Sequence, residues 1–435
     1  MRATIAGAGL AGCEAAWQLA ERGIPVRLYE RKKSIRTEAQ RTDLMGELVC
    51  SNSFRGRALT QGVGLLKQEL LEMGSLFMKA ALATEVPAGG ALAVDRQAFS
   101  HYLDEAVRSH PLIEVVDEEL VDFPLDGPLI IATGPLSDGP LLERVRELAG
   151  SAFCYFFDGS APIVAGDSLN YSKLYYASRY GKGDPEDYLN APLNEEEYRR
   201  LYEALLHGRR NIPHLEGEKE KYFEGCMPVE EMARRGEKTL LFGPLKPVGL
   251  EDPQGRRAYG VVQLRKENKD GTMFNLVGFQ TGLSFPSQGE LIHLIPGLEE
   301  AEILRYGVVH RNTYLDSPRL LRGTGAFREA PSIYVAGQFS GVEGYVESAA
   351  SGMAVGLAVW SQLKKGQELI FPAETMTGAL MAYISTEVGD RRLEPMNANF
   401  GLLPPLQEEI RDKRLKKEAL AARALAALKG FQEGL

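Results

Sequence analysis

The chain has 435 residues, 44% of them hydrophobic and 25% charged, with a formal net charge of −9 at pH 7. That length suggests two or three folded units of ordinary globular composition, and the net charge argues against broad affinity for nucleic acid, so any such partner needs a local cluster of Lys and Arg. The cysteines Cys13, Cys50, Cys154 and Cys226 lie far apart with no C-x-x-C pair, which excludes a zinc ribbon or a thioredoxin-type redox pair and fits a reducing compartment. The longest uncharged apolar run, residues 348–363, is too short and too rich in Gly, Ala and Ser for a membrane span. The N-terminus carries no signal-type apolar core. These features predict a soluble cytoplasmic protein with no membrane partner and no metal site.

In chain order, residues 3–6 read as a short strand, followed by Gly7-Ala8-Gly9-Leu10-Ala11-Gly12. Helical spacing of Ala15, Ala16, Leu19 and Ala20 predicts a helix over 13–22, which Gly23 stops before a strand at 25–30. Residues 31–33 are basic, 47–53 form a polar turn, and 94–96 open a helix over 97–109. Residues 129–131 form a buried strand that runs into Ala132-Thr133-Gly134. From about 155 the chain is rich in Tyr and Phe, with strand-like runs at 259–264 and 274–281. A buried strand returns at 332–336, followed by a glycine-rich turn and an Ala/Gly helix over 346–363. A last helix, rich in Lys, Arg and Ala, is expected over 408–431. The pattern predicts an α/β fold: a doubly wound, discontinuous Rossmann-like domain (1–154 and 321–435) with an inserted α+β domain at 155–320.

Gly7-x-Gly9-x-x-Gly12 follows a strand, opens a helix and has an acid, Glu30, about 20 residues on. This is the context a dinucleotide site requires. Ala8, Leu10 and Ala11 belong to the same turn, and Glu30 with the adjacent Arg31 would face the adenosine ribose. The second element, Ala336-Gly337-Gln338-Phe339-Ser340-Gly341-Val342-Glu343-Gly344-Tyr345, favours FAD over NAD as the resident dinucleotide. A flavin benefits from a helix N-terminus near its pyrimidine carbonyl, where reduction builds negative charge. Gly134 fits a third turn of the same site, and Gln338, Glu343, Gly344 and Tyr345 its flavin end.

Cys50 and Cys226 both sit in polar, turn-like surroundings. Cys226 precedes a helix start marked by Pro228, Glu230 and Glu231, with Arg234 and Arg235 close by, a setting that activates a thiol. Cys13 and Cys154 lie in apolar strings and read as inert. His310, Arg311 and Asn312, near a strand end, suit a polar ligand. Arg411, Lys413, Arg414, Lys416, Lys417, Arg423 and Lys429 make the last helix basic, with Arg414, Lys416 and Lys417 as candidate RNA contacts.

These segments resemble the folate- and FAD-dependent tRNA (uracil-5-)-methyltransferases, the TrmFO family, over nearly the whole chain. The likeness rests on the glycine turn 7–16, Glu47-Leu-Val-Cys-Ser-Asn-Ser53, Ala93-Val-Asp-Arg96, Phe223-Glu-Gly-Cys-Met-Pro228, Glu230–Gly236, Phe242-Gly-Pro-Leu-Lys-Pro-Val-Gly249, Asn275–Thr281 and Ala336–Tyr345. Larger FAD enzymes that modify the tRNA wobble uridine share the glycine-rich parts but lack the Cys226 segment. The chain departs from the family pattern at Arg31-Lys32-Lys33 and at Gln40-Arg41-Thr42. The resemblance implies formation of 5-methyluridine at position 54 of the tRNA T-loop, with the carbon from 5,10-methylenetetrahydrofolate and tetrahydrofolate released. FAD would be reduced by NADH or NADPH. The partners are the tRNA T-arm, folate and NAD(P)H, with no obligatory protein partner. It implies Cys226 as the thiolate that adds to uracil C6, Cys50 near the flavin as protector or base, Tyr345 stacked on the flavin and His310 on the folate pterin. The competing readings are an NAD(P)H-dependent flavin oxidoreductase acting on a small molecule, a wobble-uridine enzyme, and a non-catalytic flavin-binding tRNA chaperone.

Overall fold

The computed structural model describes residues 1–37, 39–124, 126–150, 152–211, 222, 227–387 and 392–435, with the backbone alone at 155–158 and 311. Among these residues the strands assemble into sheets of five, six, two and three. The five-stranded sheet is wholly parallel. Its order is Ile333–Val335, Leu129–Ile131, Ala3–Ala6, Val26–Tyr29, Ile113–Val116. Numbered along the chain this is 5-4-1-2-3, the doubly wound order expected from the sequence, which places a ligand crevice beside the first strand at the carboxyl ends. Ala3, Ile5, Val26, Leu28, Ile130 and Val335 are all fully or almost fully buried, as strands covered on both faces require.

Helix Leu10–Ala20 packs along helix Tyr345–Lys365 through small residues. A Cβ on Gly352 would lie 2.3 Å from the Ala11 carbonyl oxygen, and one on Gly12 would lie 1.8 Å from the Gly7 carbonyl oxygen. Only hydrogen fits at either position. The first helix starts at Leu10, three residues earlier than its apolar spacing suggests, because the glycine turn itself winds into the helix. The last helix runs Lys413–Glu433 and not from 408, because Asp412 caps it by accepting the Arg414 and Leu415 N–H groups. Its buried face is Leu420, Ala421, Ala424 and Leu428, within the main core.

The six-stranded sheet is antiparallel and draws its strands from Ile163–Ala165 to Ile303–Arg305. It has its own core around Leu189, Leu201, Leu264, Phe274 and Phe279. Of the strand-like run 274–281, only residues 274–276 join this sheet, within strand Met273–Leu276. The rest turns away and delivers Thr281 and Gly282 to the carboxylate of Glu230. A two-stranded ribbon, Phe153–Gly159 with Val309–Leu315, joins the two bodies. No helix among the described residues is long and apolar enough to cross a membrane.

Candidate active site

The carboxyl ends of Ala3–Ala6, Leu129–Ile131 and Ile333–Val335 open into one cleft. Gly7, Gly9, Leu10, Ala11, Glu30, Arg31, Gly134, Gly337, Gln338 and Tyr345 line it, and its empty volume is about 1360 Å³, open solvent at the mouth included. Gly7 has φ +97°, and a Cβ there would meet the Ala132 carbonyl oxygen at 2.5 Å, so the turn excludes every side chain. Ala8 and Gly12 stand behind the lining: the Ala8 N–H donates to Glu30 at 2.8 Å. The other Glu30 oxygen accepts the Lys32 N–H at 3.0 Å, so Glu30 braces the glycine turn from the next strand. The Arg31 guanidinium reaches Glu119 and Asp138 across the cleft wall.

The residues present fit a bound dinucleotide. Among the described α-helices elsewhere, five carry side-chain caps, at Ser75, Asp95, Asn194, Thr375 and Asp412, and six carry none. Helices Leu10–Ala20 and Tyr345–Lys365 both begin at the cleft from a glycine, Gly9 and Gly344, with no side-chain cap. Their first-turn N–H groups and positive dipole ends are left for a ligand, an arrangement suited to a pyrophosphate at one and a carbonyl bearing negative charge at the other. A Cβ on Gly9 or Gly134 would meet no atom within 4 Å, so both face open space. Gln338 donates to the carboxylate of Glu343, which fixes the glycine-rich turn between them.

At the Tyr345 end of this cleft lies the Cys50 turn. The Cys50 N–H donates to the Tyr345 hydroxyl at 2.7 Å, and the Cys50 thiol, half-buried, donates to the Gly159 carbonyl at 3.3 Å. Three successive carbonyls of the turn are held by guanidinium groups: Arg96 takes Leu48 and Cys50, and Arg305 takes Val49. Arg96 is fixed in turn by Glu267, with its Nε 3.0 Å from the carboxylate. Asn52 is fully buried and accepts two bonds from Arg265 at 3.0 and 2.8 Å while donating to Val94 and Lys266 carbonyls. The turn is therefore stitched to the six-stranded sheet, and Cys50 stands at the junction of the two bodies. Sequence reasoning missed Arg96, Arg265 and Arg305. Arg96 closes the Ala93–Arg96 segment that carries part of the resemblance, whereas the other two have no local signal. Burial raises the Cys13 thiol far above its ordinary range, as its apolar string suggests.

His310 lies on the ribbon, one residue beyond Val309, the partner of Gly159. Burial, with Arg305 and Arg41 adding like-charge repulsion, pushes it down to about 4. Its Nε2 is buried without a hydrogen-bond partner, so the ring is a neutral imidazole with one edge unused. Asn312 is buried two residues on, and the side chain of Arg311 lies outside the described residues, as does Cys226. Tyr222 packs on Val309 and Met227 is buried; they are the nearest described residues on either side of Cys226. Arg414, Lys416 and Lys417 are exposed on the last helix, away from the cleft lining, and Arg414 pairs with Glu418.

Fold and cleft together define a protein of the dinucleotide-binding α/β class, with a cysteine turn set at the Tyr345 end of the cleft. A family model described as "Glucose inhibited division protein A" matches residues 2–367. The fold is that of Aquifex aeolicus GidA in its form I crystal, with TM-score 0.70 at 17% identity, covering 99% of this chain and 76% of that one. Curated relatives named methylenetetrahydrofolate–tRNA-(uracil-5-)-methyltransferase TrmFO match almost end to end. The Halalkalibacterium halodurans protein is 53% identical over 428 residues, 98% of each chain. The Geobacter sulfurreducens protein is 53% identical over 427 residues, 98% of this chain and 97% of its own. The chain belongs to the TrmFO family, within the wider GidA family.

Proposed function

We propose that the protein is a methylenetetrahydrofolate-dependent tRNA (uracil-5-)-methyltransferase that makes 5-methyluridine at position 54 of the T-loop and works in the cytoplasm. The observation that carries this reading is the Cys50 turn, clamped by Tyr345 at the end of a dinucleotide cleft, in a chain about half identical to relatives of that name over their full length. The turns at Gly7–Gly12, Gly134 and Gly337–Tyr345 would hold FAD. Bound there, FAD supplies the redox chemistry that brings the folate carbon to the methyl level, with NADH or NADPH as electron source and tetrahydrofolate as by-product.

The chain's own groups do the rest. A Cys226 thiolate adds to C6 of the uracil and makes C5 nucleophilic toward the folate-derived carbon. Loss of the C5 proton and expulsion of the thiolate restore the ring. Cys50, held by its N–H and thiol hydrogen bonds, stands as base or shield beside the flavin. Neutral His310 offers a flat, uncharged face to a pterin, with Arg311 and Asn312 toward the polar part of the folate. The contact of Tyr222 with Val309 supports a meeting of the two cysteine segments, because Val309 pairs with Gly159, the acceptor of the Cys50 thiol. The same reading divides the chain into FAD-binding parts 1–154 and 321–435 around an insertion at 155–320. The parallel-sheet strands all fall outside that insertion and the six-stranded sheet wholly inside it. Arg414, Lys416 and Lys417 stand as an outlying phosphate contact.

Covalent trapping with 5-fluorouracil-containing T-arm RNA tests the chemistry. Unmutated protein forms a thiol–RNA adduct and Cys226→Ala does not. A Cys226→Ala protein that traps as well as the unmutated one would overturn the assignment of the nucleophile. A flavin that NAD(P)H reduces, with neither adduct nor methylated RNA, would favour the small-molecule oxidoreductase.

A further inference from the structure

Phe242 is 82% exposed, the most exposed of the chain's described aromatic side chains. It ends the one-turn helix Thr239–Phe242 and belongs to the segment 242–249, one of the segments that carry the family likeness and one that no part of the flavin cleft uses. The turn that follows is tight: the Lys246 N–H donates to the Gly243 carbonyl at 3.3 Å, and the Leu245 carbonyl accepts the Val261 N–H at 3.1 Å. Lys246 places its ammonium 5.8 Å from the centre of the Tyr180 ring, itself 55% exposed. Tyr180 sits at a strained φ of +58°, kept there by its N–H on the Gly249 carbonyl at 2.8 Å and by packing of its ring against Gly249. Four residues earlier the exposed Tyr176 carries the Lys266 ammonium 5.7 Å from its ring centre.

Exposed rings paired with cations are what sequence-tolerant binding of unstacked nucleotides uses: the ring stacks on a base and the ammonium meets the phosphate. The arrangement also leads to the active site. The Lys266 carbonyl accepts from Asn52, two residues beyond Cys50. From there strand Gly260–Lys266 runs back to Val261, which bonds Leu245 beside the Phe242 turn. Five residues at ~3.3 Å each make that path about 17 Å, short enough for one folded RNA to touch both ends. Glu186 and Asp252 are acidic neighbours of this surface, adding to the effect of burial in raising the Tyr176 and Tyr175 phenols.

We infer that Phe242, Tyr180 and Tyr176, with Lys246 and Lys266, form a docking surface for unpaired nucleotides of the tRNA substrate, outside the flavin cleft. The inference rests on the methyltransferase reading for its partner, and its test is a binding measurement that does not need turnover. Unmodified tRNA transcript is titrated by fluorescence anisotropy at several salt concentrations against unmutated protein, Phe242→Ala, Tyr180→Ala and Lys246→Gln. FAD absorbance, melting temperature and NAD(P)H-driven flavin reduction are followed in parallel. The expected result is a Kd raised about tenfold or more by each aromatic substitution, and a salt slope smaller by about one for Lys246→Gln, with the flavin readouts unchanged. Affinity and slope equal to those of the unmutated protein would overturn the surface, as would an unmutated protein that does not bind tRNA. Weakened variants alongside an unmutated protein that binds but never methylates tRNA would leave the surface standing and overturn the methyltransferase reading instead.

Discussion

Tyr345→Phe isolates the clamp on the Cys50 turn. The substitution keeps the ring that lines the cleft and its edge contact with Phe54, with ring centroids 6.1 Å apart. It removes one atom, the hydroxyl that accepts the Cys50 N–H at 2.7 Å. A buried donor left without an acceptor costs about 1–3 kcal/mol, and the remaining anchors on Arg96, Arg305 and Arg265 confine that loss to the turn. Local opening should therefore become about 5- to 150-fold more frequent. Amide hydrogen exchange in a peptide spanning 48–52 reads this directly, with peptides from strand Ala3–Ala6 as internal reference. The expected outcome is loss of protection by at least about fivefold in the turn, with FAD content and the reference peptides unchanged. Unchanged exchange at 48–52 would refute the claim that Tyr345 holds Cys50 in place.

Further outcomes follow from the same geometry. Gly352→Ala pushes a methyl into the Ala11 backbone; such overpacking costs about 1–3 kcal/mol and shifts the pyrophosphate turn, so FAD retention and melting temperature should fall together. Arg96→Gln takes the buried partner from Glu267 and frees two carbonyls of the Cys50 turn, so methylation should fall more than flavin reduction by NAD(P)H. His310, held near 4 against an ordinary 6.5, stays neutral while the unfolded chain takes up its proton. Its contribution to stability is therefore complete above about pH 6.5 and is lost as pH falls toward 4, up to about 3 kcal/mol. Denaturant titrations of unmutated protein and His310→Phe between pH 7.5 and 4.5 should show the steeper loss in the unmutated chain, and equal slopes would contradict a buried neutral imidazole.

Features written in contiguous residues were legible in the sequence. Gly7, Gly9, Gly12 and Glu30 needed only a strand before them and an acid at the next strand's end, and the parallel sheet sets that acid against the glycine turn, where it accepts the Ala8 N–H. Cys13 read as inert from its apolar neighbours and is buried. Arg96, Arg265 and Arg305 were not legible as a set, because they converge on residues 48–52 from separations of about 45 to 255 residues and only tertiary pairing joins them. The start of the last helix was misplaced because Glu408–Arg411 share its charged composition, and the cap at Asp412, not composition, decides where winding begins. Lys32 illustrates the same limit: it sits in a basic stretch, yet its ammonium is buried against the Leu44 carbonyl and Glu47.

On the proposed function a folate-derived carbon, and not one from S-adenosylmethionine, reaches C5 of a tRNA uridine at this site. The most direct measurement incubates the FAD-loaded protein with unmodified tRNA transcript, NAD(P)H and carbon-labelled methylenetetrahydrofolate, beside a parallel reaction with labelled S-adenosylmethionine, and identifies nucleosides by mass spectrometry. Labelled 5-methyluridine at position 54 is expected in the folate reaction alone. Label from S-adenosylmethionine, or unmodified uridine with a flavin that NAD(P)H still reduces, would contradict the proposed function.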